Sequence, residues 1–166
     1  MKKFIIAFAV VFVINLGCKK IIEQPVCACS PASYPSFNLA IKNADGDDLL
    51  NPATANSFDK DQIQLFKKEA NGSVKQIVFF IRPPFNYGNT NINYHQIISD
   101  DITRLWNNAS DSFYLKLGSG LTYELNLQLN NTNRKVEKLL VDKKEAPIET
   151  AAGINAVVNI FKLSVI

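Results

Sequence analysis

The sequence predicts an all-β fold, an antiparallel β-sandwich of about seven or eight short strands. Three observations predict it. Apolar side chains alternate with polar ones in separate short runs, which is the period of a half-buried strand and not of a helix. Turn-forming pairs such as Asp45-Gly46, Asn71-Gly72 and Ser119-Gly120 punctuate the chain between those runs. No segment sustains a helical apolar stripe for three turns, so the apolar strand faces have only another sheet to bury against.

Taken in order, Phe37, Leu39 and Ile41 alternate with Asn38, Ala40 and Lys42 and read as a half-buried first strand. Asn43 to Asp47 reads as a turn in which Gly46 supplies a positive φ. The stretch from Leu49 is irregular, because Pro52 disfavours helix at Asn51. Alternation resumes at Ile63 and Leu65 and runs to Lys67. Asn71-Gly72, the strongest hairpin signal in the chain, joins that strand to a run from Val74 to Ile81. Because Ile77-Val78-Phe79-Phe80-Ile81 is unbroken apolar, this run is predicted as a central strand covered on both faces. Pro83-Pro84 ends it, and the Asn-, Gly- and Tyr-rich segment 85–93 reads as a loop. Tyr94 to Ile98 is predicted as a strand, and Asp100 to Trp106 as a short helix capped by Ser99. Phe113, Leu115 and Leu117 form the next strand. Ser119-Gly120 turns the chain into Tyr123–Leu129, the cleanest alternation present. A turn at Asn131 to Asn133 leads to a strand from Val136 to Val141. A polar loop through Pro147 and a closing strand from Asn155 to Leu163 complete the reading.

The N-terminus has a different character. Lys2 and Lys3 precede an uninterrupted apolar stretch from Phe4 to Ile14. That stretch has the length of a signal-peptide h-region and falls well short of the roughly 20 residues that span a bilayer. Gly17 directly before Cys18 resembles the lipobox of bacterial lipoproteins, although Asn15 stands where that motif carries Leu. The resemblance implies that residues 1–17 are a signal peptide cut between Gly17 and Cys18. It also implies that the Cys18 thiol carries a diacylglycerol and that the new amine is acylated. Each buried methylene contributes about 0.8 kcal/mol, so two or more chains anchor stably where one does not. By the same resemblance, Lys19 in place of Asp after the Cys implies the outer membrane. Lys19 to Gln24 holds no acidic run of the kind that directs surface export, which leaves the leaflet open, leaning to the periplasmic side.

Residues 18–36, with Pro25, Pro31 and Pro35, read as the lipidated Cys and a tether that spans on the order of 20–25 Å. Residues 37–166 read as the β-sandwich domain. Cys27 and Cys29 are separated only by Ala28, a spacing that strains a disulfide. Their readings are a redox pair, two metal ligands, or two tether cysteines without chemistry. Two ligands with no second pair nearby do not make a structural zinc site. The formal charge is +3; without Lys2 and Lys3 it is 16 Lys and Arg against 15 Asp and Glu, or +1. A near-neutral domain offers no electrostatic footprint for nucleic acid.

After the first strand comes Gly46-Asp47-Asp48-Leu49-Leu50-Asn51-Pro52. Together with the Cys- and Pro-rich tether, this motif resembles small lipoproteins of Bacteroidota that have a β-sandwich domain and no assigned activity. The resemblance implies the same fold and no enzymatic role, and it transfers no functional residues. Locally, Gly46 suits the turn, Leu49 and Leu50 suit the core, and Pro52 stops the strand.

Candidate site residues are few. His95 is the single histidine. A hydrolytic triad would need it beside a nucleophile and an orienting carboxylate, and no nucleophile-elbow pattern accompanies any Ser. The plainer reading of His95 is an ordinary strand residue. Asn43, Asp45, Asp47 and Asp48 superficially resemble an EF-hand loop, but Asp48 and Thr54 stand where the loop requires Gly and Glu. A looser calcium site from Asp45, Asp47, Asp59 and Asp61 requires the two segments to meet; otherwise these are solvated turn residues. Glycosidase chemistry needs two carboxylates across a cleft, a pattern linear sequence does not display. Arg82, Phe85, Tyr87, Tyr94, His95 and Trp106, set among many Asn, are the residues that would suit a glycan or a protein partner. Alternatively their aromatics fill the core. The sequence therefore reads as a lipid-anchored, non-catalytic binding or accessory module that needs no cofactor. The alternatives are a structural part of an envelope assembly and a hydrolase whose site the sequence does not display. The anchor is directly testable: Cys18→Ser is expected to yield a chain without acyl mass that leaves the membrane fraction. Unchanged N-terminal mass and unchanged membrane retention would remove the lipid from this account.

Overall fold

The computed structural model describes residues 34–130, 135–149 and 158–165. The predicted signal peptide, Cys18, Cys27, Cys29 and the tether up to residue 33 lie outside those residues. So do the turn at 131–133 and the start of the closing strand at 155–157.

The fold is all-β, with two main sheets facing across one core. The smaller sheet has four strands. β1 (Phe37–Lys42) is flanked on one side by β12 (Ile160–Ser164) and on the other by β7 (Gln96–Ser99), and β4 (Phe80–Arg82) lies outermost. The larger sheet begins with β2 (Ile63–Lys68), which is edged by β3 (Val74–Gln76). It continues through β8 (Phe113–Leu117), β9 (Leu121–Asn130), β10 (Lys135–Val141) and β11 (Lys144–Glu145). A separate hairpin pairs β5 (Phe85–Tyr87) with β6 (Thr90–Ile92). One helical turn, α1 (Asp101–Arg104), follows β7. The predicted cap residue, Ser99, lies one position before the N-cap Asp100, and its Oγ accepts from the Ile102 N–H of the helical turn at 3.2 Å. The helix ends sooner than the predicted Trp106.

Alternation explains the core. Phe113, Leu115 and Leu117 are buried while Tyr114 and Lys116 between them stay partly exposed. The inward set of each sheet meets the other. Leu39, Ile41, Ile97 and Phe161 from the smaller sheet form one buried cluster with Leu65, Phe113, Leu115, Leu125 and Leu127 from the larger. Each such side chain stabilises the fold by about 1.5–3 kcal/mol when fully buried. The sheets are also tied by polar contacts at the margins. Asn159, just before β12, donates to the Val136 carbonyl on β10 at 3.0 Å. Within the larger sheet, an ion pair at 2.9 Å joins Lys67 of β2 to Asp111 in the loop before β8.

The structure corrects several expectations. The strands number twelve among the described residues, not seven or eight. The excess comes from apolar runs and loops that split into two- and three-residue pieces. The pairing is not wholly antiparallel, because β12 returns to lie parallel to β1, with Leu39 opposite Phe161. The strand covered on both faces is β1, not the run from Val74 to Ile81. Phe37 to Ile41 are all buried. The segment 85–93, predicted as a loop, supplies the second cover. Its β5–β6 hairpin and the following Tyr94 gather Ile92, Tyr94, Ala40 and Ile160 into a second cluster. Ala40 was predicted to face solvent; its small side chain instead leaves room for that layer. In the loop after Val141, β11 turns back on β10 with Val141 opposite Lys144.

Gln96 occupies an unusual place in this arrangement. It is fully buried on β7, and neither its amide nitrogen nor its amide oxygen has a hydrogen-bond partner among the described residues. A buried polar group without a protein partner costs about 1–3 kcal/mol. Gln96→Met keeps the length and removes both polar atoms, so it is expected to raise the unfolding free energy by about 1–2 kcal/mol in urea melts. A clear loss of stability would contradict this view of the amide.

Candidate interaction edge

The segment 74–82 is not the one central strand that the sequence predicts from Val74 to Ile81. It is instead the place where the chain leaves one sheet for the other. Its first three residues form β3, the edge of the larger sheet, and its last three form β4, the edge of the smaller. Residues 77–79 cross between them. The crossing has a physical basis in alternation. Ile77 and Phe79 are buried in the shared core, while Val78 and Phe80 point outward and are 61% and 63% exposed. An unbroken apolar run thus has an inner and an outer set, and only the inner set is covered.

A backbone that changes sheets loses its ladder partners, and its polar groups need others. Ile77 N–H still donates to the Leu65 carbonyl at 2.8 Å. Val78 N–H donates to Asp101 Oδ2 at 3.1 Å, and Ser99 Oγ donates to the Val78 carbonyl at 2.7 Å. Ser99 therefore serves the helical turn and the crossing together. Asp101 is also bound by the Arg104 guanidinium. Partial burial pushes the Asp101 carboxyl up, but the hydrogen bonds from Arg104 and from Val78 N–H, with the charges of Arg104 and Lys75, outweigh it. The carboxyl is held below its ordinary value.

The Asp101 carboxylate at Val78 is paired with Arg104, and the other charged groups named at this edge are basic. Within 74–82 the only charged residues are Lys75 and Arg82. Lys60 Nζ stands 5.5 Å from the centre of the Phe80 ring, and the Arg82 guanidinium stands 5.0 Å from that of Phe85. Val74 is 52% exposed at the start of the segment. Among the described residues neither β3 nor β4 has a strand on its outer side.

The residues singled out from sequence do not converge on one site. Arg82 and Phe85 meet, as described. Tyr87 is exposed on the hairpin. Tyr94 is buried in the second cluster, with Lys42 Nζ 4.6 Å from its ring centre. Burial first, and the charge of Glu149 second, push its hydroxyl up to about 12. Trp106 packs against the main core and donates its Nε1–H to the Leu127 carbonyl at 2.9 Å. Tyr94 and Trp106 thus belong to two separate clusters and are not walls of one pocket. Both are core residues, which is the plainer of the two readings.

His95 has a partner that sequence reasoning missed. Asp48 Oδ2 lies 2.7 Å from His95 Nδ1 and also accepts the His95 backbone N–H at 2.7 Å. Asp48 Oδ1 accepts from Leu50 N–H at 3.0 Å. One carboxylate thereby joins the turn after β1 to the approach to β7, and the Gly46–Pro52 motif gains a structural reason. The two residues are 47 apart in sequence, and no local signal links them.

Of the four aspartates proposed for calcium, Asp47 and Asp59 have local duties. Asp47 Oδ2 accepts from Asn43 Nδ2, and Asn43 Oδ1 accepts from Asp47 N–H, closing the turn. Asp59 begins the 3₁₀ turn Lys60–Gln62. Among the described residues no three His, Cys, Asp or Glu are placed to hold a metal ion, so Asp45, Asp47, Asp59 and Asp61 do not form that site. No family model, curated protein or solved structure matches the chain.

The crossing carries a pH signature. Because the Asp101 carboxyl is lowered in the fold, its contribution is fully present above the unfolded value of about 3.9 and is lost as pH falls through the folded value. Asp101→Asn is expected to lower stability at neutral pH and to flatten the loss seen below about pH 4. Stability curves of the two proteins that stay parallel through the acid range would contradict it.

Proposed function

We propose that this protein is a lipid-anchored, non-catalytic binding module of the bacterial cell envelope, held at the outer membrane through Cys18. It engages a protein partner along the edge formed by residues 74–82. The N-terminal order of Lys2-Lys3, the apolar stretch 4–14 and Gly17-Cys18 supports the anchor.

The observation that carries the binding role is the pair Val78 and Phe80, more than half exposed on a segment with no outer strand partner among the described residues. Soluble proteins ordinarily blunt such edges, since an open strand beside apolar side chains invites pairing. Here Lys75 and Arg82 flank the apolar centre and bias it against indiscriminate association. A partner strand laid along β4 would gain main-chain hydrogen bonds and bury both side chains, the mode known as strand addition. The same edge suits a structural component of an envelope assembly, in which the pairing is permanent.

A photo-crosslinking residue placed at Val78 or Phe80 in cells is expected to give a discrete protein adduct, while one at exposed Thr122 on β9 gives none. Phe80→Ser is expected to abolish the Val78 adduct with a stability change within about 0.5 kcal/mol, as for other exposed positions. Adducts of equal yield at all three positions, or none at the edge, would overturn the reading.

A further inference from the structure

The opposite side of the sandwich, where β11 and β12 are the outermost strands, is built differently. There the segment after β11 closes the gap between the sheets. Ala146 N–H donates to the Leu139 carbonyl of the larger sheet at 2.9 Å. Lys162 N–H donates to the Pro147 carbonyl and Glu149 N–H to the Ile160 carbonyl of the smaller, both at 2.8 Å. Beside this closure lies a cleft of about 360 Å³. Small-molecule sites begin at about 300 Å³.

The chemistry of the cleft is mixed in a particular way. Val141 and Leu163 give it an apolar floor, and Tyr123 contributes an aromatic ring. Lys144 and Lys162 line it, and neither ammonium has a carboxylate partner among the described residues. Two carboxylates, Asp142 and Glu145, line it as well, each with one oxygen already committed. Asp142 Oδ1 accepts from Glu124 N–H at 2.9 Å, and Glu145 Oε2 is paired with Lys138 at 2.6 Å. Burial, then the charge of Asp142, pushes the Tyr123 hydroxyl up, so it remains a hydrogen-bond donor.

The rim is held in an uncommon conformation. Asp142 and Lys143 both have positive φ, 48° and 67°. That is the hairpin-turn geometry usually met by Asn-Gly or Asp-Gly, and Lys143 adopts it at a steric cost. The Asp142–Glu124 hydrogen bonds fix it in both directions, since Asp142 N–H also donates to the Glu124 carbonyl at 2.9 Å. Asp142 and Lys144, on either side of Lys143, both line the cleft.

We propose that this cleft binds an acidic sugar, a pyranose bearing one carboxylate. A compact inorganic anion carries no donors for the free oxygens of Asp142 and Glu145. A neutral sugar gains nothing from the charges of Lys144 and Lys162. A uronate-type ring satisfies the whole set. Its carboxylate faces Lys144 and Lys162, its hydroxyls donate to the free oxygens of Asp142 and Glu145, and its apolar face lies on Tyr123. The site is independent of the 74–82 edge, so binding at one does not require the other.

Titrating isotopically labelled full-length protein with D-glucuronate tests this by NMR. Amide shifts are expected at 123, 142–145 and 162–164, with D-glucose at least roughly ten-fold weaker and inorganic phosphate causing no shift there. Lys144→Gln and Lys162→Gln are each expected to weaken glucuronate at least roughly ten-fold. Should Lys162→Gln unfold, Lys144→Gln decides, because its side chain is exposed on β11. Glucose equal to glucuronate, phosphate competing at the same residues, shifts confined elsewhere, or undiminished binding by the Lys144 variant would each overturn the proposal.

Discussion

The architecture depends on the backbone at Val78 being satisfied while it belongs to neither sheet. A chain that crosses between two sheets exposes an amide and a carbonyl that no ladder can serve. Ser99 and Asp101, from the end of β7 and the start of α1, take up both groups. With those two bonds in place, Ile77 and Phe79 drop into the core, and β3 and β4 become the edges of different sheets. Without them, a run of five consecutive apolar residues would have strong reason to stay a single strand. The exposed outer set of that run is a consequence of the crossing, since alternation sends every second side chain away from the core.

The two open sides of the sandwich differ in character. On one, Val78 and Phe80 are exposed, basic side chains flank them, and among the described residues no strand covers β4. The other is closed by residues 146–149 and carries a cleft with lysines, carboxylates and one aromatic ring. The first has the chemistry of a polypeptide contact, in which main-chain pairing and apolar burial act together. The second has the chemistry of a small polar ligand, in which several directed groups surround an apolar floor. Both lie on margins of the sheets, so neither disturbs the core shared by Leu39, Leu65, Phe113 and Leu125.

Burial also separates chemistry from scaffolding among the conspicuous side chains. Trp106 and Tyr94 look like ligand contacts in a list of aromatics, yet each is committed to packing. His95 and Asp48 form a close pair, but the carboxylate is engaged by two backbone amides as well as the ring, which makes it a fastener between distant segments. The aspartates near residue 45 close a turn. What remains free for recognition is less conspicuous in sequence: two valines, a phenylalanine, and a pair of lysines 18 residues apart.

Local periodicity was enough to read the all-β class, the strand at Phe37, the hairpin at Asn71-Gly72, the positive φ at Gly46 and the alternation of Phe113 to Leu117 and Tyr123 to Leu129. All of these follow from side-chain direction and turn sterics within a few residues. The sequence by itself determined those features. Which sheet each strand joins was decided only in three dimensions, because an unbroken apolar run is equally compatible with a central strand and with a crossing. The covering of β1 by the 85–92 hairpin, the parallel return of β12, the Asp48–His95 pair and the cleft at Lys144 and Lys162 share that origin. Each arises from contacts between segments far apart along the chain, where the energy lies in mutual burial and in hydrogen bonds that neither segment can make alone.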